Sequence, residues 1–148
     1  MSRVQLALNV DDLDASIAFY TKLFQTAPVK IREGYANFSI ADPPLKLVLF
    51  ADAGEPGTLN HIGVEVDSTA EVAAAIARAS ADGLAQTVQD DVSCCYAVQD
   101  KTWVHGPDNA WEFYTVLEDA PTMGCDTSSP TGCAADMSHP AADAARCC

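Results

Sequence analysis

Two things are scarce in this chain: positive charge and long apolar runs. Eight lysines and arginines stand against 21 aspartates and glutamates, a formal charge of −13. Such a surface repels phosphate backbones, which argues against a nucleic-acid partner; solubility is the plain use of the charge. No apolar stretch approaches the roughly 20 residues that span a bilayer. The opening MSRVQLALNVDDLD has no signal-peptide layout, so the expectation is a cytoplasmic protein without a membrane partner. Without a secretory signal, the six cysteines read as thiols rather than as a disulfide framework.

What is present fits a soluble globular protein: 148 residues, 49% hydrophobic and 20% charged. The last stretch, DAPTMGCDTSSPTGCAADMSHPAADAARCC, is rich in Ala, Ser, Thr, Pro and Gly and offers almost no large apolar residue to bury. It reads as a flexible tail over residues 119–148, carrying Cys125, Cys133, Cys147 and Cys148. The folded domain is expected over residues 1–118.

Within that domain the sequence repeats itself. VQLALNVDD and NHIGVEVDS both alternate apolar and polar residues like half-buried strands. Each runs into a helix. DDLDASIAFYTKLF has acidic residues in its opening turn and Leu13, Ile17, Tyr20 and Phe24 along one face. The second helix opens on STAE, the capping-box spacing from Ser68 to Glu71, and stops near Gly83. Three strand-like runs follow each helix: PVKIR, YANFSI and LKLVLF, then AQTVQ, CCYAVQD running into KTWVH, and WEFYTVL. The expected fold class is therefore α+β. Two βαβββ modules should pair into one curved, mixed, mostly antiparallel sheet around a cleft.

With that repeat the sequence resembles the vicinal oxygen chelate family, which includes glyoxalase I, extradiol dioxygenases and bleomycin-resistance proteins. The resemblance implies metal ligands on the first and last strands of each module. Lining up the repeats at an offset of about 56 residues sets Gln5 opposite His61, and the last strands set Lys46 opposite Glu112. A protonated lysine is a poor ligand, so Gln5, His61 and Glu112 remain. They form an N/O set related to the two-His, one-carboxylate triad of non-haem Fe(II) oxygenases. Plainer readings stand beside this one: His61 as a hydrogen-bonded core residue and Gln5 as an exposed side chain. Glu112, between Trp111 and Phe113, needs a partner on either reading.

Cys94 and Cys95 stand side by side in what reads as a strand, where neighbouring side chains point to opposite faces. Both sulfurs can serve one pocket only if the backbone bends there. Two thiolates match by count a trivalent arsenic that already carries one carbon group, and they also match part of a Cd(II) or Zn(II) site. Alternatively one thiol packs in the core, or the pair closes a strained vicinal disulfide.

The segments MSRVQLALNVDDL, GYANFSIADPPLKLVL, TLNHIGVEV, CCYAVQDKTWVHGP and WEFYTVLED closely resemble two groups within that family. One is the Fe(II)-dependent organoarsenical C–As lyases; the other is the mycobacterial-type cadmium-induced proteins. The first resemblance implies Gln5, His61 and Glu112 as Fe(II) ligands and Cys94 with Cys95 as substrate thiols. It implies dioxygen as co-substrate and a trivalent organoarsenical, such as methylarsenite or an aromatic arsenical, cleaved to arsenite. Cys147 and Cys148 could add an auxiliary trap, and His105 is assigned no role. The rivals are a non-catalytic cadmium- or arsenic-binding protein using the cysteines and His139, and a small-ligand-binding dimer of the same fold. Either a monomer or a homodimer is compatible with the sequence.

Overall fold

The computed structural model describes residues 1–123; Asp119, placed in the expected tail, is the last residue of β8, and the rest of the tail assignment from residue 124 on, with the roles considered for Cys125, Cys133, His139, Cys147 and Cys148, lies outside the described residues. Element order is βαβββ twice, as the repeat predicts: β1 (Arg3–Val10), α1 (Leu13–Phe24), β2 (Lys30–Arg32), β3 (Tyr35–Ile40) and β4 (Leu45–Ala51). Then come β5 (Leu59–Glu65), α2 (Thr69–Ala81), β6 (Gln86–Cys94), β7 (Ala97–His105) and β8 (Ala110–Asp119). By its contacts the chain divides into two compact units, the first covering Met1–Glu65 and the second beginning at Val66.

In the first unit the strands run in the order β2-β3-β4-β1-β5. β1 is parallel to β4 and antiparallel to β5. The opening strand of the second repeat thus pairs directly with the opening strand of the first. The alternation in VQLALNV is used on both faces. Leu6, Leu8 and Val10 pack with Leu13, Ile17, Tyr20 and Phe24 of α1 against a core of Ala36, Phe38, Ile40, Leu47 and Leu49. Burying a side chain such as Phe38, which is fully enclosed, stabilises the fold by about 1.5–3 kcal/mol. The opposite face of β1 carries Arg3, Gln5, Ala7 and Asn9, and it is here that the polar residues gather.

The second helix begins on the capping box read from the sequence, and the first on a cap that the sequence reading did not single out. Asp12 caps α1, its side chain accepting from the Ala15 N–H at 2.8 Å. Ser68 caps α2, accepting from the Glu71 N–H, while Glu71 reaches back to the Asp67 N–H at 2.9 Å. α1 stops at Gln25 in the left-handed region, and α2 is followed by Gly83 at φ 68.

In the second unit α2 lies against β6, β7 and β8, with Val72, Ala75 and Ala79 buried. The strands are ordered β8-β7-β6, all antiparallel. Here the structure departs from the sequence reading. β6 does not stop at Gln89 but continues through a bulge to Cys94, and Cys94 and Cys95 are not together inside one strand. Cys94 ends β6, while Cys95 and Tyr96 are the two turn residues of the β6–β7 hairpin, at φ 50 and 60. Two consecutive positive φ values are the mark of the type I′ turn, whose twist matches that of the flanking strands. The backbone bend that two adjacent sulfurs require is a hairpin tip. Past β8 the chain folds back on this tip: the Ala120 N–H donates to the Tyr96 carbonyl at 2.9 Å and the Cys95 N–H to the Met123 carbonyl at 3.3 Å. Among the described residues no helix is long and apolar enough to cross a membrane.

Candidate functional site

Gln5 and His61, set opposite one another by the repeat, are in contact. The pairing of β1 with β5 places Ala7 across from His61 and Gly63 across from Gln5. From these neighbouring rungs Gln5 Nε2 and His61 Nε2 meet at 2.8 Å. Gln5 is buried and His61 half-buried. The imidazole is held from behind, with Nδ1 2.7 Å from Asn60 Oδ1. Asn60 Nδ2 in turn donates to Asn9 Oδ1 at 2.9 Å, and Asn9 Nδ2 to Thr58 Oγ1 at 2.9 Å. An amide oxygen can only accept, so Nδ1 carries the proton and Nε2 presents its lone pair. Gly54 belongs to this support: a methyl group built there would lie 2.6 Å from Asn9 Nδ2.

This donor set fits a metal ion. Histidine ligands characteristically donate their second ring N–H to an oxygen, which fixes tautomer and orientation. A half-turn of the Gln5 amide exchanges its nitrogen for its oxygen, bringing an amide oxygen beside the imidazole lone pair. The sequence reading missed Asn60 and Asn9. The signal for the first was an amide immediately before the candidate histidine; nothing local flagged the second.

Lys46 is the register partner of Gln5 across the parallel β1–β4 pair. Its Nζ lies 3.7 Å from Glu65 Oε1, and Arg3 bonds both Glu65 and Ser39. Burial pushes the Lys46 ammonium below the ordinary lysine pKa; Glu65 opposes the shift, and Arg3 and Lys30 add to it. Between the folded value and the ordinary value near ~10.4 the unfolded chain binds more protons than the folded one. The stability linked to this group therefore rises with pH through that window and is lost on the way down. The difference in unfolding free energy between wild type and Lys46→Met should grow in favour of wild type as pH rises towards that limit. A difference independent of pH would show that the ammonium is not held against its preference.

Glu112 belongs to the second unit, on β8, and is buried; it has the partner that the sequence reading required. Its partner, missed from the sequence, is Lys101 on β7. The Lys101 side chain is fully buried, its Nζ 3.1 Å from Glu112 Oε1 and 5.7 Å from the centroid of the Trp103 ring. Trp103 stands opposite Glu112 and Lys101 opposite Tyr114, so the ion pair is a diagonal contact across the β7–β8 ladder. A metal that takes Glu112 shares the carboxylate with an ammonium.

The thiol pair differs from expectation in a second respect. Cys95 is half-buried and outside any disulfide, whereas Cys94 is fully buried and disulfide-bonded. The two do not bridge each other, so the vicinal disulfide is not formed. His105, at the end of β7, lies 2.9 Å from Thr87 Oγ1 through Nε2, a hairpin contact. Among the described residues no group of three or more His, Cys, Asp and Glu side chains is assembled. The candidate donors include an amide, which such a grouping leaves out.

Comparison with known proteins follows the same lines. Residues 3–117 match the Glyoxalase/Bleomycin resistance protein/Dioxygenase superfamily. A trivalent organoarsenical cleaving enzyme of Thermomonospora curvata is 59% identical over 125 residues, 83% of each chain. The cadmium-induced protein CadI of Mycobacterium bovis is 58% identical over 125 residues, 84% of this chain and 82% of that one. Among solved structures, an extradiol ring-cleaving dioxygenase from B. fuscum superposes with a TM-score of 0.58 at 20% identity, over 80% of this chain and 33% of that one. A Mn(II)-bound glyoxalase from Novosphingobium aromaticivorans gives 0.55 at 20% identity, over 86% and 44%. Doubled βαβββ order and a match spanning almost all of the described residues place this chain in the glyoxalase, bleomycin-resistance and dioxygenase superfamily.

Proposed function

We propose that this protein cleaves the carbon–arsenic bond of trivalent organoarsenicals, with Gln5, His61 and Glu112 as ligands of Fe(II) and Cys94 and Cys95 as the substrate thiols. The observation that carries the reading is the cysteine pair at the tip of the β6–β7 hairpin. It occurs in a chain 59% identical to an organoarsenical cleaving enzyme.

The protein's part is capture and orientation. A monoalkyl arsenic(III) dihydroxide exchanges two As–O bonds for two As–S bonds and releases two waters, with no change of oxidation state. Its one remaining bond is the bond to carbon. Holding it in a fixed direction converts an encounter into a positioned reaction. Capture by both sulfurs needs Cys94 reduced, so the competent form is the dithiol. Asn60 keeps the His61 lone pair on Nε2, and Lys101 fixes one oxygen of Glu112. When bound, Fe(II) would supply the open positions at which dioxygen is activated. Methylarsenite and one dioxygen balance to arsenite and formaldehyde without a further reductant.

Aerobic incubation of the reduced, Fe(II)-loaded protein with methylarsenite should release arsenite, and Cys94→Ala, Cys95→Ala and Glu112→Ala should each abolish release. Wild-type rates in all three would refute the assigned roles. A second reading, cadmium or arsenic sequestration without turnover, draws on the likeness to CadI. It predicts tight Cd(II) binding and no arsenite in the same assay.

A further inference from the structure

β6 reaches Cys94 only by way of a bulge. Gln89 stands opposite Lys101 and Val92 opposite Gln99, so Asp90 and Asp91 together face the single residue Asp100. Side chains alternate along a strand, and one inserted residue exchanges the faces of everything beyond it. Because of that insertion Cys94, opposite Ala97, lies on the face that carries Lys101, Trp103 and Glu112. Without it Ser93 would stand opposite Ala97, and the Cys94 sulfur would turn to the face that packs on α2.

The inserted backbone is costly to hold. Asp91 has φ 54, in the left-handed region that favours glycine. One buried side chain fastens it: the Asp91 N–H donates to Asp100 Oδ1 at 2.9 Å. The other oxygen, Asp100 Oδ2, accepts from Thr69 Oγ1 at 2.5 Å, in the first turn of α2. Asp100 is only 8% exposed. A single carboxylate thus ties the strained residue of β6 to the start of the helix behind it.

We propose that Asp100 is a positioning residue for the thiol pair, fastening the bulge that turns Cys94 to the face of Lys101 and Glu112. This rests on the reading of Cys94 and Cys95 as the arsenic-capturing thiols. Thr69 assists by orienting the carboxylate. The role is separate from metal binding, since Asp100 points to the opposite face of β7 from Lys101.

The test uses the full chain with Cys125, Cys133, Cys147 and Cys148 changed to serine, which leaves Cys94 and Cys95 as its thiols. The probe is phenylarsine oxide: two S–H bonds give way to two As–S bonds, the arsenic-bound oxygen leaves as water, and no electrons are transferred. This parent should take one phenylarsine oxide per chain, and a parent that binds none sinks the capture reading itself rather than the role of Asp100. Asp100→Leu should weaken binding about tenfold and Thr69→Val about twofold, in keeping with the loss of hydrogen bonds to a charged group. Asp100→Asn, whose amide oxygen still accepts from the Asp91 N–H, should stay near the parent. Adding Asp91→Gly should recover most of the loss, because glycine takes this φ without help. A merely stabilising carboxylate would lower the melting temperature and leave the affinity where it was. Unchanged affinity in both variants, or loss that Asp91→Gly does not recover, overturns the proposal. Should Asp100→Leu not fold, Thr69→Val with and without Asp91→Gly decides by the same criteria.

Discussion

Lys101→Met should lower folding stability by about 3–5 kcal/mol, the cost of leaving one member of a buried ion pair without its counter-charge. The Lys101 side chain has no exposure and its ammonium sits 3.1 Å from Glu112 Oε1. Methionine keeps most of the volume and the contact with the Trp103 ring, so the change isolates the charge. The second half of the expectation is more diagnostic. Lys101→Met combined with Glu112→Leu should regain most of the loss, because an apolar pair of similar volume is commonly as stable as the ion pair it replaces. Urea unfolding of the two single variants, the double variant and wild type closes the cycle. A double variant no more stable than Lys101→Met would show that the carboxylate is not the group stranded by the mutation.

Converting either cysteine of the hairpin to serine should reduce capture of methylarsenite on the order of 10²–10⁴-fold. The second As–S bond forms within the chain, at the effective concentration set by adjacent residues of one turn, and a single thiol forgoes that gain. Oxidised wild type should resemble the serine variants, because the Cys94 sulfur is already engaged in a disulfide. Arsenite release at limiting substrate, measured on oxidised protein and on protein reduced with a phosphine that is then removed, reads both effects. Serine variants within threefold of wild type, or equal rates for the oxidised and reduced forms, would rule out two-sulfur capture.

The parts of this molecule that were legible in the sequence are those governed by local pattern. Strand alternation and helical spacing gave the doubled βαβββ order, and the Ser68–Glu71 capping box announced the start of α2. The repeat offset brought Gln5 to His61 because equivalent strands lie side by side as β1 and β5. What escaped depended on register. Lys101 meets Glu112 only through the pairing of β7 with β8, which no stretch of either strand encodes alone. The hairpin tip carries Cys95 and Tyr96 where glycine or asparagine would have signalled a type I′ turn. The bulge at Asp90–Asp91 is invisible without knowledge of what stands opposite. The disulfide at Cys94 is likewise a tertiary event that cysteine spacing does not specify.

The asparagine chain behind His61 has a consequence for variation far from any reacting atom. Residue 54 leaves no room for a side chain against Asn9, Asn9 steadies Asn60, and Asn60 decides which ring nitrogen keeps its hydrogen. A loop position with no chemistry of its own therefore acts as a lever on ligand basicity. On the proposed metal site, drift there should be felt first as weaker metal binding, in a protein whose fold and cysteine pair were still intact.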